Sequence, residues 1–295
     1  MKRLEEFLKP SQSQLFQKLY KKYQREAVCY KGKYLLVKGE APVLLVAHLD
    51  TVHEIPVRTI CASQQGSILM SPQGIGGDDR CGVYALTAIW ETAPVKPWLL
   101  FTCDEETGGH GARAFAEAYM EGTLPKALEQ MKMIIEIDRR GCRDAVYYNC
   151  ANDEFEEYIS SKGFQTDYGS FSDISIIAPA MGVAAVNLSA GYYNAHTLHE
   201  FIDKRHLNIT VEKVQEIIAE ATGDGFPRFE YIENICYEDY GRYGSESIPK
   251  SLPGKYREFY DILLDYFSFG ELENYRKTFG NVVLHDLYRS VLCGL

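Results

Sequence analysis

The sequence predicts an α/β fold: a three-layer domain with a mixed, largely parallel central sheet flanked by helices, then a helical C-terminal extension. Three observations carry that reading. PVLLVAH at 42–48, WLLFTC at 98–103 and MIIEI at 133–137 are short continuous apolar runs, the pattern of strands buried on both faces. Helical patterns separate them, and strand–helix–strand alternation is what a parallel sheet requires. With 295 residues the chain can bury roughly three-quarters of its unfolded surface, enough for one large core.

In order along the chain, Leu15, Leu19 and Tyr23 repeat at helical spacing behind the start signal Pro10-Ser11. AVCYKGKYLLV reads as a hairpin turning at Lys31-Gly32, and RTICASQQGSILMS as a second one turning at Gln65-Gly66. DRCGVYALTAIWETA after Gly77 and GARAFAEAYM after Gly109 read as helices. NDEFEEYISSKGF is a further helix and GVAAVNLS a further buried strand. In ITVEKVQEIIAEA, Val211, Val214, Ile217 and Ile218 form one apolar helix face. A Gly/Asp/Pro break at 223–227 then divides a domain of residues 1–225 from an extension, 226–295, that holds 15 of the 37 aromatic residues. Two amphipathic helices are expected there, one with Phe259, Ile262, Leu263 and Tyr266, the other with Val283, Leu284, Leu287 and Val291. So aromatic a segment would expose a large apolar patch if free, so it is expected to pack on the preceding domain or to join copies of the chain in a homo-oligomer.

Charge and composition exclude several partners. Lys+Arg 31 against Asp+Glu 41 gives a formal charge of −10, which argues against a nucleic-acid partner, since phosphate binding needs a basic face. The cluster Lys18, Lys21, Lys22 and Arg25 lies at helical spacing and reads as a solvated helix face. No run approaches the roughly 20 apolar residues of a membrane span, so no membrane partner is expected. MKRLEEFLKP lacks the apolar run of a signal peptide, which points to the cytoplasm. The eight cysteines are scattered without a CxxC and read as reduced, mostly buried thiols.

The chemistry lies where polar residues end the buried strands. PVLLVAH runs into His48-Leu49-Asp50, WLLFTC into Asp104-Glu105-Glu106 and MIIEI into Asp138. Open α/β sheets build sites outside the carboxyl ends of their parallel strands, so three such strands aim at one crevice. Carboxylates packed this closely repel unless a cation lies between them, and His with carboxylates suits zinc, with manganese or cobalt as alternatives. Each piece has a plainer reading: Asp78-Asp79 after Gly76-Gly77 suits a helix cap, Glu105-Glu106 a solvated loop, and His196 with His199 a surface coincidence.

Taken together, HLDT, GIGGDDRCG, DEETGGHGA, EIDRRG and NAHTLHEF resemble the co-catalytic zinc exopeptidase superfamily, which includes the bacterial tripeptidase, amino-acylase-type deacylases and single-domain zinc aminopeptidases. The resemblance runs from about residue 40 to 222 and implies the zinc-exopeptidase-like (phosphorylase/hydrolase) fold. It implies two Zn2+ per chain, or Mn2+ or Co2+ in their place, held by His48, Asp78, Glu106, Asp138 and His196. Asp78 would bridge the metals with a cis peptide bond to Asp79, Asp50 would orient His48, and Glu105 would be the general base for a metal-activated water. The implied reaction is exopeptidase cleavage of short peptides, as an aminopeptidase. A deacylase or desuccinylase, or a metal-binding protein without catalysis, are the alternatives.

The chain also departs from the lidded members. Only 57 residues lie between Asp138 and His196, and His48 and Asp78 are 30 apart, so neither interval holds an inserted lid domain. Tyr192 or Tyr193 is a candidate oxyanion donor and Asp173 a candidate contact to a substrate terminus. His53, His110 and His199 have no necessary role. An acidic site favours a substrate's free α-amine. Arg139 and Arg140, the cations nearest the ligands, are expected to pair with the site's own acids.

Overall fold

The computed structural model describes residues 4–169 and 171–232, and a discontinuous set between 260 and 291. The chain divides into two compact units, 1–233 and 234–295. In the first, helices α1 (Glu5–Leu8) and α2 (Gln12–Tyr23) lead into the hairpin β1 (Ala27–Tyr30) and β2 (Tyr34–Val37), then β3 (Ala41–His48). The small hairpin β4 (Cys61–Ala62) and β5 (Ile68–Met70) precedes α3 (Gly77–Thr92), β6 (Pro97–Thr102), α4 (His110–Met120) and β7 (Met133–Arg139). There follow β8 (Asp144–Val146), α5 (Asp153–Ser161), β9 (Gln165–Thr166), α6 (Ile174–Met181) and β10 (Ala185–Ser189). Last come β11 (Tyr192–Tyr193), β12 (Phe201–Asp203) and α7 (Lys204–Ala221).

Eight strands form one sheet in the order β1-β2-β6-β3-β7-β10-β8-β9, and β11-β12-β5-β4 form a second. The core of the large sheet, β6-β3-β7-β10, is parallel throughout, and β1, β2 and β8 pair antiparallel. This is the three-layer, largely parallel architecture that the alternation predicts. The region between Asp138 and His196 is taken up by sheet strands and their covering helices, with no inserted domain.

Successive side chains of a strand face opposite ways. Val43, Leu45 and Ala47 therefore enter the core beneath α2, α3 and α7, with Leu15, Leu86 and Val214. Leu44 and Val46 enter the other, with Phe115 of α4 and Ile177 of α6. Helix α2 starts where Pro10-Ser11 indicates: Ser11 and Gln14 form a reciprocal capping box.

The same alternation builds the site. On the α4/α6 face, Leu44 and Val46 give way to His48, Leu100 to Thr102, Ile134 to Glu136 and Asp138, and Ala185 to Asn187. His48 is in register with Thr102, and Glu136 lies between Val46 and Asn187. The carboxyl ends of four neighbouring parallel strands thus turn polar on one face, which no purely structural core demands.

Phe226 and Phe229 pack against Tyr158, and Phe229 also against Phe155, while Glu230 bridges to Val183. The residues just after the Gly/Asp/Pro break thus belong to the α/β unit, because their aromatic rings cover α5. In the second unit, Tyr260, Leu263, Leu272 and Leu284 form a buried cluster with Leu287 and Val291 against it. Leu263, Leu284, Leu287 and Val291 take the expected inward positions. Ile262 and Tyr266 are exposed, 39% and 56%, because the cluster is completed instead by Leu272 of helix α8 (Phe269–Phe279). Phe259 lies outside the described residues. Cys81, Cys103 and Cys150 are buried free thiols, whereas Cys29 and Cys61 are free and exposed. Among the described residues no helix is long and apolar enough to cross a membrane.

Candidate metal centre

His48, Asp78, Glu105, Glu106, Asp138 and His196 meet at the carboxyl end of the sheet. His48 Nε2 lies 3.1 Å from Asp78 Oδ1, 3.7 Å from Asp138 Oδ2 and 4.0 Å from Glu105 Oε2. His196 Nε2 lies 3.2 Å from the other Asp78 oxygen, Oδ2, and 3.3 Å from Glu106 Oε2. Asp78 therefore stands between two groups, His48–Asp78–Asp138 and Asp78–Glu106–His196, each with ligand atoms within 4.8 Å of one another. A third grouping joins His48, Glu105 and Glu106 within the same span.

Backbone geometry presents these side chains. The Asp78–Asp79 peptide bond is cis, the geometry the resemblance implies, and both residues leave helical dihedrals before α3 proper begins. The two aspartates divide the two readings of the Asp-Asp pair. Asp78 faces the histidines, while Asp79 caps the helix by accepting from Gly82 N at 2.9 Å and also accepts from His48 N at 3.2 Å. Asp50 accepts from His48 Nδ1 at 3.3 Å and from the backbone N–H groups of Glu105 and Glu106 at 3.1 and 3.0 Å. One carboxylate thus fixes both the imidazole and the turn after β6. Asp104 and His196 hold left-handed backbones (φ 59 and 64), a conformation that costs a non-glycine residue energy and clusters at functional sites.

Charge is concentrated accordingly. Burial, then Asp78, pushes the Asp138 carboxyl up to about 7. Burial, opposed by His48 and reinforced by Asp138 and Asp173, pushes Glu105 up to about 9. Burial alone would raise Asp78, yet its hydrogen bonds to His196 and His48 hold it well below the usual carboxylate range. Hydrogen bonds to Asp78 and Glu106 raise His196 to about 11. For His48 burial acts downward and is outweighed by Asp138, Asp50 and Asp78, which hold the imidazole well above its ordinary value. Glu106 Oε1 is buried with no hydrogen-bond partner. A mixed imidazole and carboxylate donor set with an unsatisfied buried oxygen fits a divalent cation. The cluster can hold a metal ion.

The remaining expectations divide. Tyr192 is at the cluster, its hydroxyl donating to Asp138 Oδ1 at 3.1 Å. Tyr193 is not: it stacks on Phe201, with its hydroxyl 2.6 Å from His206 Nδ1. His110 and His199 are exposed. Asp173, wholly buried, accepts from Thr102 Oγ1 beneath the cluster, and burial pushes its carboxyl up to about 6. Contrary to expectation, Arg139 pairs with Asp167 at 2.6 Å, because the chain after β9 brings that carboxylate to the end of β7. Arg140 has no ion-pair partner among the described residues.

Several positioning residues were missed by sequence reasoning. Buried Glu200 accepts from Gly76 N and Asp78 N at 2.9 and 3.0 Å and lies 2.9 Å from His53 Nε2. It thereby holds the loop that carries Asp78 and gives His53 a structural role. The place of Glu200 in NAHTLHEF was its only signal. Gln12 bonds the side chain and backbone N–H of Asp104, and Asn187 exchanges two hydrogen bonds with the Asp138 backbone. Glu200→Ala should leave these donors unpaired and cost about 3–5 kcal/mol. Read by thermal melting, that is a fall of roughly 10 °C; an unchanged melting temperature would show that Glu200 does not hold the loop.

Fold and site together define a three-layer α/β protein with a histidine–carboxylate cluster at its strand ends. Solved structures similar to this chain are peptidases. A tripeptidase from Staphylococcus aureus subsp. aureus Mu50 is 15% identical, the match covering 74% of this chain and 96% of that chain with a TM-score of 0.56. Aminopeptidase PepT from Bacillus cereus is 16% identical over 75% of this chain and 98% of that one, with a TM-score of 0.53. The TET1 peptidase of Pyrococcus horikoshii, a dodecamer in its asymmetric unit, is 14% identical over 73% and 97%, with a TM-score of 0.53. These are likenesses of fold. No protein-family model matches the sequence, and no curated protein does.

Proposed function

We propose that the chain is a di-zinc exopeptidase that removes residues from the amino end of short peptides, Mn2+ or Co2+ being able to replace zinc. The observation that carries this is Asp78, whose two oxygens face two separate histidine–carboxylate groups. In this reading His48 and Asp138 would hold one ion and Glu106 and His196 the other, with Asp78 in reach of both groups. When bound, such ions supply Lewis-acid polarisation of the scissile carbonyl and acidify water. Glu105, whose carboxylate lies 4.0 Å from His48 Nε2 at the cluster, would accept the attacking water's proton and deliver it to the leaving amine. Asp50 keeps the His48 ring and the Glu105 backbone in place. Tyr192, whose single O–H donates to Asp138 Oδ1 in the free protein, would turn it to the oxyanion in this scheme.

Asp50 and Asp104, carboxylates beside the cluster that this reading assigns to no ion, favour a substrate ammonium, and the peptidase folds this chain resembles support the same direction. The test is a peptide digest with added zinc. Acetylating the amino end should abolish cleavage; cleavage of the acetylated peptide alone would turn the assignment to a deacylase. Free exposed thiols at Cys29 and Cys61 agree with a cytoplasmic location. Copies of the chain are proposed to associate through the aromatic C-terminal extension, in keeping with the dodecamer of the TET1 peptidase. Light scattering should then give a mass several times 33.5 kDa for the full chain and a smaller multiple after truncation at 233; a monomeric full chain would remove this part of the proposal.

A further inference from the structure

Away from the metal centre, the turn that leaves β7 brings a thiol, a phenol and an imidazole together. Cys142 is a free, half-buried thiol. Tyr193 is held by stacking on Phe201, the ring centroids 4.9 Å apart and the planes 11° from parallel. Its hydroxyl oxygen lies 2.6 Å from Nδ1 of His206, on the first turn of α7. Burial, then the Cys142 thiol by charge and by hydrogen bond, pushes that hydroxyl up to about 12. Such a phenol stays protonated, and it can donate to the imidazole while its oxygen accepts from the thiol. Asp203 and Asp144 are the acids that act on it. Asp203 is already held by Arg205, at 3.0 Å through Nε and 2.6 Å through Nη2, and lies 3.9 Å from His206 Nδ1. Arg140 and Arg143 flank the thiol in RRGCRD; both are exposed, and neither is ion-paired among the described residues. Cys29 and Cys61 are more exposed, yet among the described residues no hydrogen bond reaches either sulfur. Of the accessible thiols described, Cys142 alone has a base behind it.

We infer that Cys142 is a modification site, a thiol that exchanges with small anionic disulfides. Cys142 Sγ attacks one sulfur of the disulfide and the S–S bond breaks. As it does so, the thiol proton passes to the Tyr193 oxygen and the hydroxyl proton passes to His206 Nδ1. The departing half leaves as a thiolate and takes up a proton from solvent, to which His206 returns its own. Cys142 is oxidised to a mixed disulfide and the departing half is reduced to a thiol, so no further oxidant is required. Arg140 and Arg143 supply a positive field that favours an anionic reagent. The turn is also tied to the metal centre. Gly141 N donates to the Tyr192 carbonyl at 2.9 Å, Gly191 N donates to the Gly141 carbonyl at 3.0 Å, and the Tyr192 hydroxyl donates to Asp138. A bulky group on Cys142 displaces Tyr193 and with it Tyr192, so peptide turnover falls; this consequence rests on the exopeptidase reading above.

The experiment treats the full chain with dithiobis(nitrobenzoate), a dianionic disulfide, and with neutral dithiodipyridine, and follows each cysteine by peptide mass mapping. Cys142 should take the anionic label about tenfold faster than Cys29 or Cys61. Y193F, which keeps the stack on Phe201, and H206Q should each bring Cys142 down to the rate of Cys29 with both reagents. Buried Cys81 must stay unlabelled in these variants, which shows that they are folded. Replacing both flanking arginines, R140Q with R143Q, should slow the anionic reagent about threefold and leave the neutral one unchanged, as should added salt in the wild type. Labelling should lower peptide turnover, dithiothreitol should restore it, and C142S should be immune. A Cys142 that reacts no faster than Cys29 and Cys61, or a Y193F and an H206Q that label at the wild-type rate, overturns the inference. Unchanged turnover in a fully labelled chain overturns the tie to the metal centre. A chain that labels at Cys142 as expected but cleaves no peptide even before labelling would overturn the exopeptidase reading and leave the thiol site standing.

Discussion

Replacing Glu105 by Gln is expected to lower kcat for a short peptide by about 10²–10⁴-fold while leaving uptake of divalent ions intact. The change removes one acceptor oxygen and its proton affinity but preserves shape. The backbone N–H at 105 still donates to Asp50, so the turn after β6 should keep its place. Glu106 gives the contrast. Its Oε2 lies 3.3 Å from His196 Nε2, so Glu106→Ala should lower metal content as well as rate. The comparison matters because His48, Glu105 and Glu106 also form a grouping that could hold a metal. Loss of metal from Glu105→Gln would make Glu105 a ligand; near-wild-type turnover with full metal would remove it from the mechanism altogether.

How much of this was legible depended on whether the signal was local. A buried parallel strand announces itself as an apolar run, and its end as the first polar residue, so His48 and Asp138 could be read without a partner in view. The Asp-Asp and Glu-Glu pairs were likewise visible, and the resemblance separated their members. Glu200 could not be read in this way, because its work is done on Gly76 and Asp78, more than 120 positions earlier. Glu136, inside the apolar run MIIEI, was not singled out from the sequence; it is wholly buried and accepts a hydrogen bond from Ser172, a partner that only the fold brings near. Arg139 was expected to turn toward the cluster because sequence shows neighbours along the chain, whereas Asp167 arrives from beyond α5. Helix α8 escaped because polar residues dominate FGELENYRKTF, and among its described side chains only Leu272 is buried.

Chelator-treated protein is expected to melt at a lower temperature at pH 8.5 than at pH 6, and added zinc to reverse the trend. The folded chain holds Asp138 up at about 7, Glu105 at about 9 and Asp173 at about 6. An unfolded chain releases those protons near pH 4. His48 and His196 are also raised, the latter to about 11, whereas unfolded histidines lose their proton near 6.5. For both kinds of group the native state binds more protons than the unfolded state between pH 6 and 8.5. Stability therefore falls as pH rises through this window. Asp78, held low, acts with the opposite sign, but its contribution is lost only as the pH falls below the ordinary carboxylate range, outside the window. A cation takes the place of these protons, so its binding strengthens with pH and stabilises by mass action, about 2.7 kcal/mol at one hundred times the dissociation constant. At roughly 2–4 °C per kcal/mol, the gap between zinc-loaded and chelated melting temperatures should widen by several degrees from pH 6 to 8.5. Metal analysis of the loaded protein should give about two ions per chain, the number implied by two ligand groups sharing Asp78. A chelated protein that melts higher at pH 8.5, or a zinc shift that does not grow with pH, would mean that the cluster does not exchange protons for metal.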